Sequence, residues 1–264
     1  MRDLPPHRIY GSGPRPVLAL HCSLAHGGEW AGLAGLLEGV RLMAPDLPGH
    51  GRQPEWDGQS DTHAAATRQA AACAEALGAP VDVIGHSFGA TVALRLALER
   101  PELVRSLVLV EPVLFAAAKA AEDPRFAAFA AREGLFRALL AQGRAEEATE
   151  AFLTVWGSGQ PFADLPPEAR AYMGARIGIV AALDPVLMGD AAGLLRYMGM
   201  ESLGVPVLLV EGDQSPPIID AIQTELARRL PMASRAVVPG AGHMLPVSHA
   251  AALAPLVAAH LAQA

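Results

Sequence analysis

The chain has 264 residues, 52% of them apolar and 18% charged, a balance that folds as a globular protein and not as a disordered one. Its net charge is −7 with no Lys/Arg-rich run, and only 5% of its residues are aromatic, so neither a nucleic acid nor an anionic membrane is expected as a partner. The start, Met-Arg-Asp-Leu-Pro-Pro-His, carries no apolar signal region, and no apolar stretch is long and uninterrupted enough to span a bilayer. Two cysteines, Cys22 and Cys73, make neither a disulfide framework nor a metal-ligand spacing, which points to a reducing, cytoplasmic setting.

In chain order, residues 17–21, 41–46, 81–85 and 106–111 read as short buried strands. Helical patterns lie between them at 28–37, 62–77 and 90–100, the last stopped by Pro101. Uncharged strands alternating with helices imply a parallel sheet covered on both faces. Only about fifteen residues precede the strand beginning near Pro16, so the number of N-terminal strands stays open.

From residue 112 to 199 the rhythm changes. The segment is rich in Ala, Leu, Arg and Glu. Phe126, Phe129, Leu135, Leu139 and Leu140 recur at helical spacing, and breaks are expected at Gly143, 157–161, Pro166 and Pro185. Strand–helix alternation then resumes, with strands at 206–211 and 235–238 and helices at 218–230 and 250–262. The fold class is therefore α/β: a mostly parallel central sheet flanked by helices. The expected parts are a core of residues 1–112 and 201–264 with a helical cap inserted at 113–200.

Gly85-His86-Ser87-Phe88-Gly89 follows a strand and opens a helix. A serine on such a sharp turn presents its hydroxyl, and the flanking glycines let strand and helix pass closely. Serine needs a base to take its proton. Pro239-Gly240-Ala241-Gly242-His243 supplies one on a flexible loop after the last strand, and imidazole titrates near neutrality. A developing oxyanion needs two N–H donors. The Phe88 N–H is one; the other is expected from the loop that begins His21-Cys22-Ser23-Leu24.

These motifs, together with Asp46-Leu47-Pro48-Gly49-His50-Gly51-Arg52, resemble the α/β-hydrolase family in order and spacing, in particular its capped, serine esterase-like members. The resemblance covers about two-thirds of the chain; in the cap it extends only to position and helical character. It implies that Ser23 contributes the second oxyanion N–H; the Asp46–Arg52 run itself reads as a loop-shaping turn. Two departures stand out. Cys22 occupies a position that is usually glycine, and it reads as a packed small hydrophobe. The usual position of the catalytic acid, after the strand of residues 206–211, falls on Ser215, which has no charge. Some members carry the acid at the end of the preceding strand, where this chain has Glu111; Asp213 is the alternative. The expected function is hydrolysis of a small carboxylic ester or related acyl substrate through an acyl-enzyme on Ser87, with no cofactor and no metal. The same site would serve a lactone or a carbon–carbon bond beside a ketone, and a non-catalytic small-molecule-binding protein on this scaffold is the reading from another class. Trp156 and Phe136, among the bulky apolar residues of the cap, are the expected substrate contacts. The sequence leaves the oligomeric state open.

Overall fold

The computed structural model describes residues 4–196 and 198–264. Seven strands form one sheet: β1 (His7–Tyr10), β2 (Arg15–Leu20), β3 (Val40–Pro45), β4 (Val81–His86), β5 (Val104–Val110), β6 (Val207–Gly212) and β7 (Ala233–Val238), in the order β1-β3-β2-β4-β5-β6-β7. All neighbours run parallel except β1, which pairs antiparallel with β3. The central strands are apolar on both faces because both are covered. In β2, Leu18 and Leu20 join the core on one side of the sheet, while Val17 and Ala19 join the core on the other. Leu107 and Leu109 alternate in the same way with Val108 and Val110 in β5. This period of two is what a pleated strand imposes.

The helices are α1 (Ala31–Ala34), α2 (Thr62–Leu77), α3 (Phe88–Glu99), α4 (Phe115–Ala120), α5 (Arg125–Ala141), α6 (Ala145–Trp156), α7 (Pro167–Gly174), α8 (Ile177–Ala182), α9 (Asp184–Leu187), α10 (Pro217–Arg229), α11 (Leu245–Ser248) and α12 (Ala250–Gln263). Asp61 caps α2 by accepting from the Ala64 N–H, and Gly78 closes it in the left-handed conformation. α4 to α9 lie between β5 and β6. α4 itself is buried against α10 in the main core, so the inserted segment is anchored at its first turn.

Two expectations need correction. The helix expected at 28–37 is a 3-10 turn, Gly27–Trp30, followed by the single turn α1; Gly28, Gly32 and Gly35 deprive it of helical propensity. The break expected at Pro185 falls two residues earlier, at Leu183 between α8 and α9, and Pro185 sits in the first turn of α9, where its missing N–H has no intrahelical partner to lose. The number of N-terminal strands, left open by the sequence, is settled by one antiparallel edge strand, β1, too short and polar to read from its pattern. Among the described residues, no helix is long and apolar enough to cross a membrane.

Candidate active site

The parallel strands end together along one edge of the sheet, and this edge collects the candidate residues. Ser87 follows β4 with φ 54° and ψ −116°, a strained backbone that turns the strand directly into α3. The turn is possible because its neighbours have no Cβ. A methyl group on Gly85 would lie 2.4 Å from the Gly89 carbonyl oxygen, and one on Gly89 would lie 2.2 Å from that of Leu20. The Ser87 N–H is held by the Val110 carbonyl at 2.9 Å.

Ser87 Oγ lies 3.0 Å from Nε2 of His243, and Nδ1 of His243 lies 3.1 Å from Oε2 of Glu111. A carboxylate at Nδ1 fixes the tautomer, with Nδ1–H donating to Glu111 and Nε2 accepting from the Ser87 hydroxyl. Glu111 is fully buried and also has positive φ, 51°, immediately past β5. Its other oxygen, Oε1, accepts from the Gly212 N–H at 2.7 Å and from the Ser215 hydroxyl at 2.6 Å. Ser215, at the position where an acid was expected, thus donates to the carboxylate that lies on the neighbouring strand end. Burial pushes the His243 imidazole below its ordinary value, and Glu111 opposes that shift.

Asp213 takes no part in this line. Its Oδ1 accepts from the Gly240 N–H at 2.7 Å and so shapes the loop that carries His243. The N–H groups of Ser23 and Phe88 donate to no protein acceptor among the described residues. Ser23 lines the cavity above Ser87, and Phe88 opens α3, where the first N–H groups lack helical partners. Cys22 is 5% exposed, and burial pushes its thiol well up, so it stays protonated and unreactive.

The cavity measures about 230 Å³. It lies between Ser87, His243 and the residues of α6, with Leu24, Phe152, Leu153, Trp156, Met173, Met244 and Val247 among its walls. No Asp, Glu, Lys or Arg lines it among the described residues. The Trp156 ring stands edge-on to His243 with centroids 4.7 Å apart, and on its other side meets Phe115 and Phe129. Phe136 is placed differently from the expectation. It is buried within the inserted helices, beside Leu24, Ala148 and Ile177, and does not line the cavity.

The Asp46–Arg52 run acts as scaffolding. Buried Asp46 accepts from the Gly27 N–H and from Arg8 and Arg52. Burial raises its pKa, but these donors outweigh that and hold it down to about 2. Two arrangements escape a sequence reading. Tyr172 of α7 donates its hydroxyl to the Ala25 carbonyl and accepts from the Gly51 N–H, clasping two core loops. Glu29 and His86 pair in the interior at 2.5 Å. Nothing in the spacing of those two residues signals their contact. Cys22, Glu29 and His86 bring possible ligand atoms within 4.8 Å of one another, but a protonated thiol and two hydrogen-bonded partners fit a polar network better than a metal ion.

A strained Gly-x-Ser-x-Gly turn between strand and helix, an imidazole and a buried carboxylate at the C-terminal edge of a mostly parallel sheet are the features of an α/β-hydrolase scaffold. Comparison with known proteins agrees: residues 17–256 match the alpha/beta hydrolase family, and the chain belongs to it. It is 31% identical over 264 residues to Lipase LipV of Mycobacterium tuberculosis, covering 98% of each chain. It is 35% identical over 225 residues to a pimeloyl-[acyl-carrier protein] methyl ester esterase of Neisseria meningitidis, covering 81% of this chain and 80% of that one. Among solved structures, a hydrolase from Pseudomonas aeruginosa superposes with a TM-score of 0.72 at 22% identity, over 97% of this chain and 93% of the other. An alpha/beta hydrolase from Sphaerobacter thermophilus gives 0.68 at 24% identity, over 97% and 95%.

Proposed function

We propose that the protein is a serine carboxylic ester hydrolase acting on small, uncharged substrates, with Ser87 as nucleophile, His243 as general base and Glu111 as the acid that orients it. The observation that carries this reading is the line Ser87–His243–Glu111, with spacings of 3.0 and 3.1 Å, at the floor of an apolar cavity. The relatives named lipase and methyl ester esterase favour an ester over a lactone or a carbon–carbon bond.

In the proposed cycle Ser87 Oγ attacks the ester carbonyl carbon while His243 Nε2 takes its proton. The oxyanion forms within reach of the Ser23 and Phe88 N–H groups, and Glu111 stabilises the imidazolium. His243 then protonates the departing alkoxide. Water, activated by the same imidazole, attacks the acyl-enzyme and releases the carboxylic acid. The cavity volume lies below the roughly 300–1,000 Å³ of pockets that enclose drug-sized ligands, which favours a short acyl or alcohol portion. The absence of charged walls disfavours ionic substrates, since a buried charge without a partner is costly. The helices between β5 and β6 act in this reading as a cap that sets chain length through Phe152, Leu153 and Trp156.

The test is a series of p-nitrophenyl esters from acetate to decanoate, with fluorophosphonate labelling. Rapid labelling that Ser87→Ala abolishes, with turnover falling beyond short chains, is the expected result. A Ser87 inert to fluorophosphonate in folded protein that still binds small esters overturns the enzymatic reading in favour of a binding protein.

A further inference from the structure

Behind the proposed reaction line lies a second pair of titratable groups that the mechanism does not use. Glu29 stands in the 3-10 turn after the oxyanion loop, and His86 is the residue before the nucleophile. The two side chains are 2% and 0% exposed. Oε1 of Glu29 lies 2.5 Å from His86 Nδ1, and Oε2 accepts from the Cys22 N–H at 2.9 Å. On its far side, His86 Nε2 lies 2.8 Å from the backbone carbonyl of His243.

A carbonyl oxygen only accepts, so Nε2 carries a proton. Nδ1 faces the other carboxyl oxygen, Oε1, at 2.5 Å, and against an ionised Glu29 it is a donor too, so that both ring nitrogens carry protons. We propose that Glu29 and His86 form a buried positioning pair, His86 as imidazolium, that ties the Cys22 N–H, one peptide before that of Ser23, to the backbone of His243 and so holds the oxyanion donor and the base in mutual register. This inference rests on the ester-hydrolase reading for its consequence in catalysis, but not for the pairing itself.

The connection is continuous. The Cys22 N–H that Glu29 grips belongs to the peptide just before the one whose N–H is offered to the oxyanion. The residue after Ser23, Leu24, is in the left-handed conformation, φ 63°, so the loop carries backbone strain close to the N–H that Glu29 grips. At the other end, the His86 bond fixes the carbonyl of the residue whose side chain must meet Ser87 within hydrogen-bond reach. The charges around the pair fit. Burial alone disfavours a charged His86, but Glu29, then the His243 carbonyl and Glu111, raise it above its ordinary value. Burial likewise opposes a charged Glu29, while His86 and His21 hold it below the usual carboxylate range. The rings of His86 and His243 are 5.1 Å apart, so the Glu29 charge also screens the base from its cationic neighbour. A serine hydrolase with this arrangement has two carboxylate–imidazole pairs: one orients the reacting ring, the other its backbone.

Two measurements on the full chain test it. In long-range ¹H–¹⁵N spectra of ¹⁵N-labelled protein at pH 7.5, His86 is expected to show two protonated ring nitrogens, with Glu29→Gln converting it to a neutral ring and shifting the Ser23 amide. An unprotonated His86 nitrogen in the wild type overturns the proposal. On p-nitrophenyl acetate, Glu29→Ala is expected to lower kcat roughly 10–100-fold, the scale of a small misplacement of reacting groups, with KM within about twofold. Glu29→Gln, which keeps an acceptor for the Cys22 N–H, is expected to recover part of the loss. Fluorophosphonate titration counts the competent sites, so that misfolding, which lowers the count, is separated from misplacement, which lowers the rate per site. Unchanged turnover per site in Glu29→Ala refutes the positioning role. If the wild type is inert to both the ester and the fluorophosphonate, the ester-hydrolase reading falls, and the spectra decide the pair by themselves.

Discussion

Replacing Glu111 by Gln removes one charge and almost no volume. The amide oxygen can still accept from the Gly212 N–H and the Ser215 hydroxyl, so the strand end keeps its anchors. What changes is the group that faces His243 Nδ1. A carboxylate about 4 Å from the centre of a forming imidazolium contributes about 4 kcal/mol at an effective dielectric constant near 20. That corresponds to roughly a 10³-fold loss of kcat. The Gln amide N–H₂ also favours the tautomer with Nε2 protonated, which cannot accept the Ser87 proton, and this extends the expected loss to roughly 10³–10⁴-fold. KM should hardly move, because Glu111 does not line the cavity. The assay is steady-state hydrolysis of p-nitrophenyl acetate, with circular dichroism to verify folding. Asp213→Asn serves as the contrast, since Asn keeps an acceptor for the Gly240 N–H, and its kcat should stay within about threefold. A folded Glu111→Gln protein that retains more than a tenth of wild-type kcat refutes the assignment of the acid.

Other outcomes follow from the same geometry. Ser215→Ala removes one charge-assisted hydrogen bond to Glu111, which should cost about 1.5–3 kcal/mol of stability and a measurable part of kcat, read by urea titration and turnover. Because burial lowers the His243 pKa, the base stays neutral into mild acid, so the acid limb of kcat/KM should lie below pH 6.5; a limb above that value contradicts the assignment. Burial lowers His50 to about 3 and His63 to about 4, so both are neutral when folded yet take up protons below pH 6.5 when unfolded. Their stabilising effect is present above pH 6.5 and fades as the pH falls toward those values. At pH 5 the combined loss is about 4 kcal/mol, and a melting temperature unchanged between pH 7.5 and 5 refutes it. Trp156→Ala opens the cavity and removes the edge contact to His243. A stability loss of about 3–5 kcal/mol and a shift of preference toward longer esters are expected, measured by thermal melts and the ester series.

The amino-acid order alone was enough for the alternation of strands and helices, the Ser87 turn and the glycine-rich loop that bears His243. These signals are local. Period-two burial, a Gly-x-Ser-x-Gly turn and proline or glycine breaks each act within a few residues, so short windows of sequence reveal them. Short or glycine-rich pieces such as His7–Tyr10 and Gly27–Ala34 were illegible or misread, because their conformation is set by the partners they meet. Tertiary structure alone decided which carboxylate faces His243. Glu111 and Asp213 both stand at strand ends beside the same loop, and only packing, with Gly212 and Ser215 turning Glu111 inward and Gly240 drawing Asp213 aside, separates them. It also decided that Phe136 is core and Trp156 is wall, and that Glu29 and His86, 57 residues apart, meet in the interior. Contacts between distant residues arise from the way elements cover one another, and no short-range pattern in the chain records them.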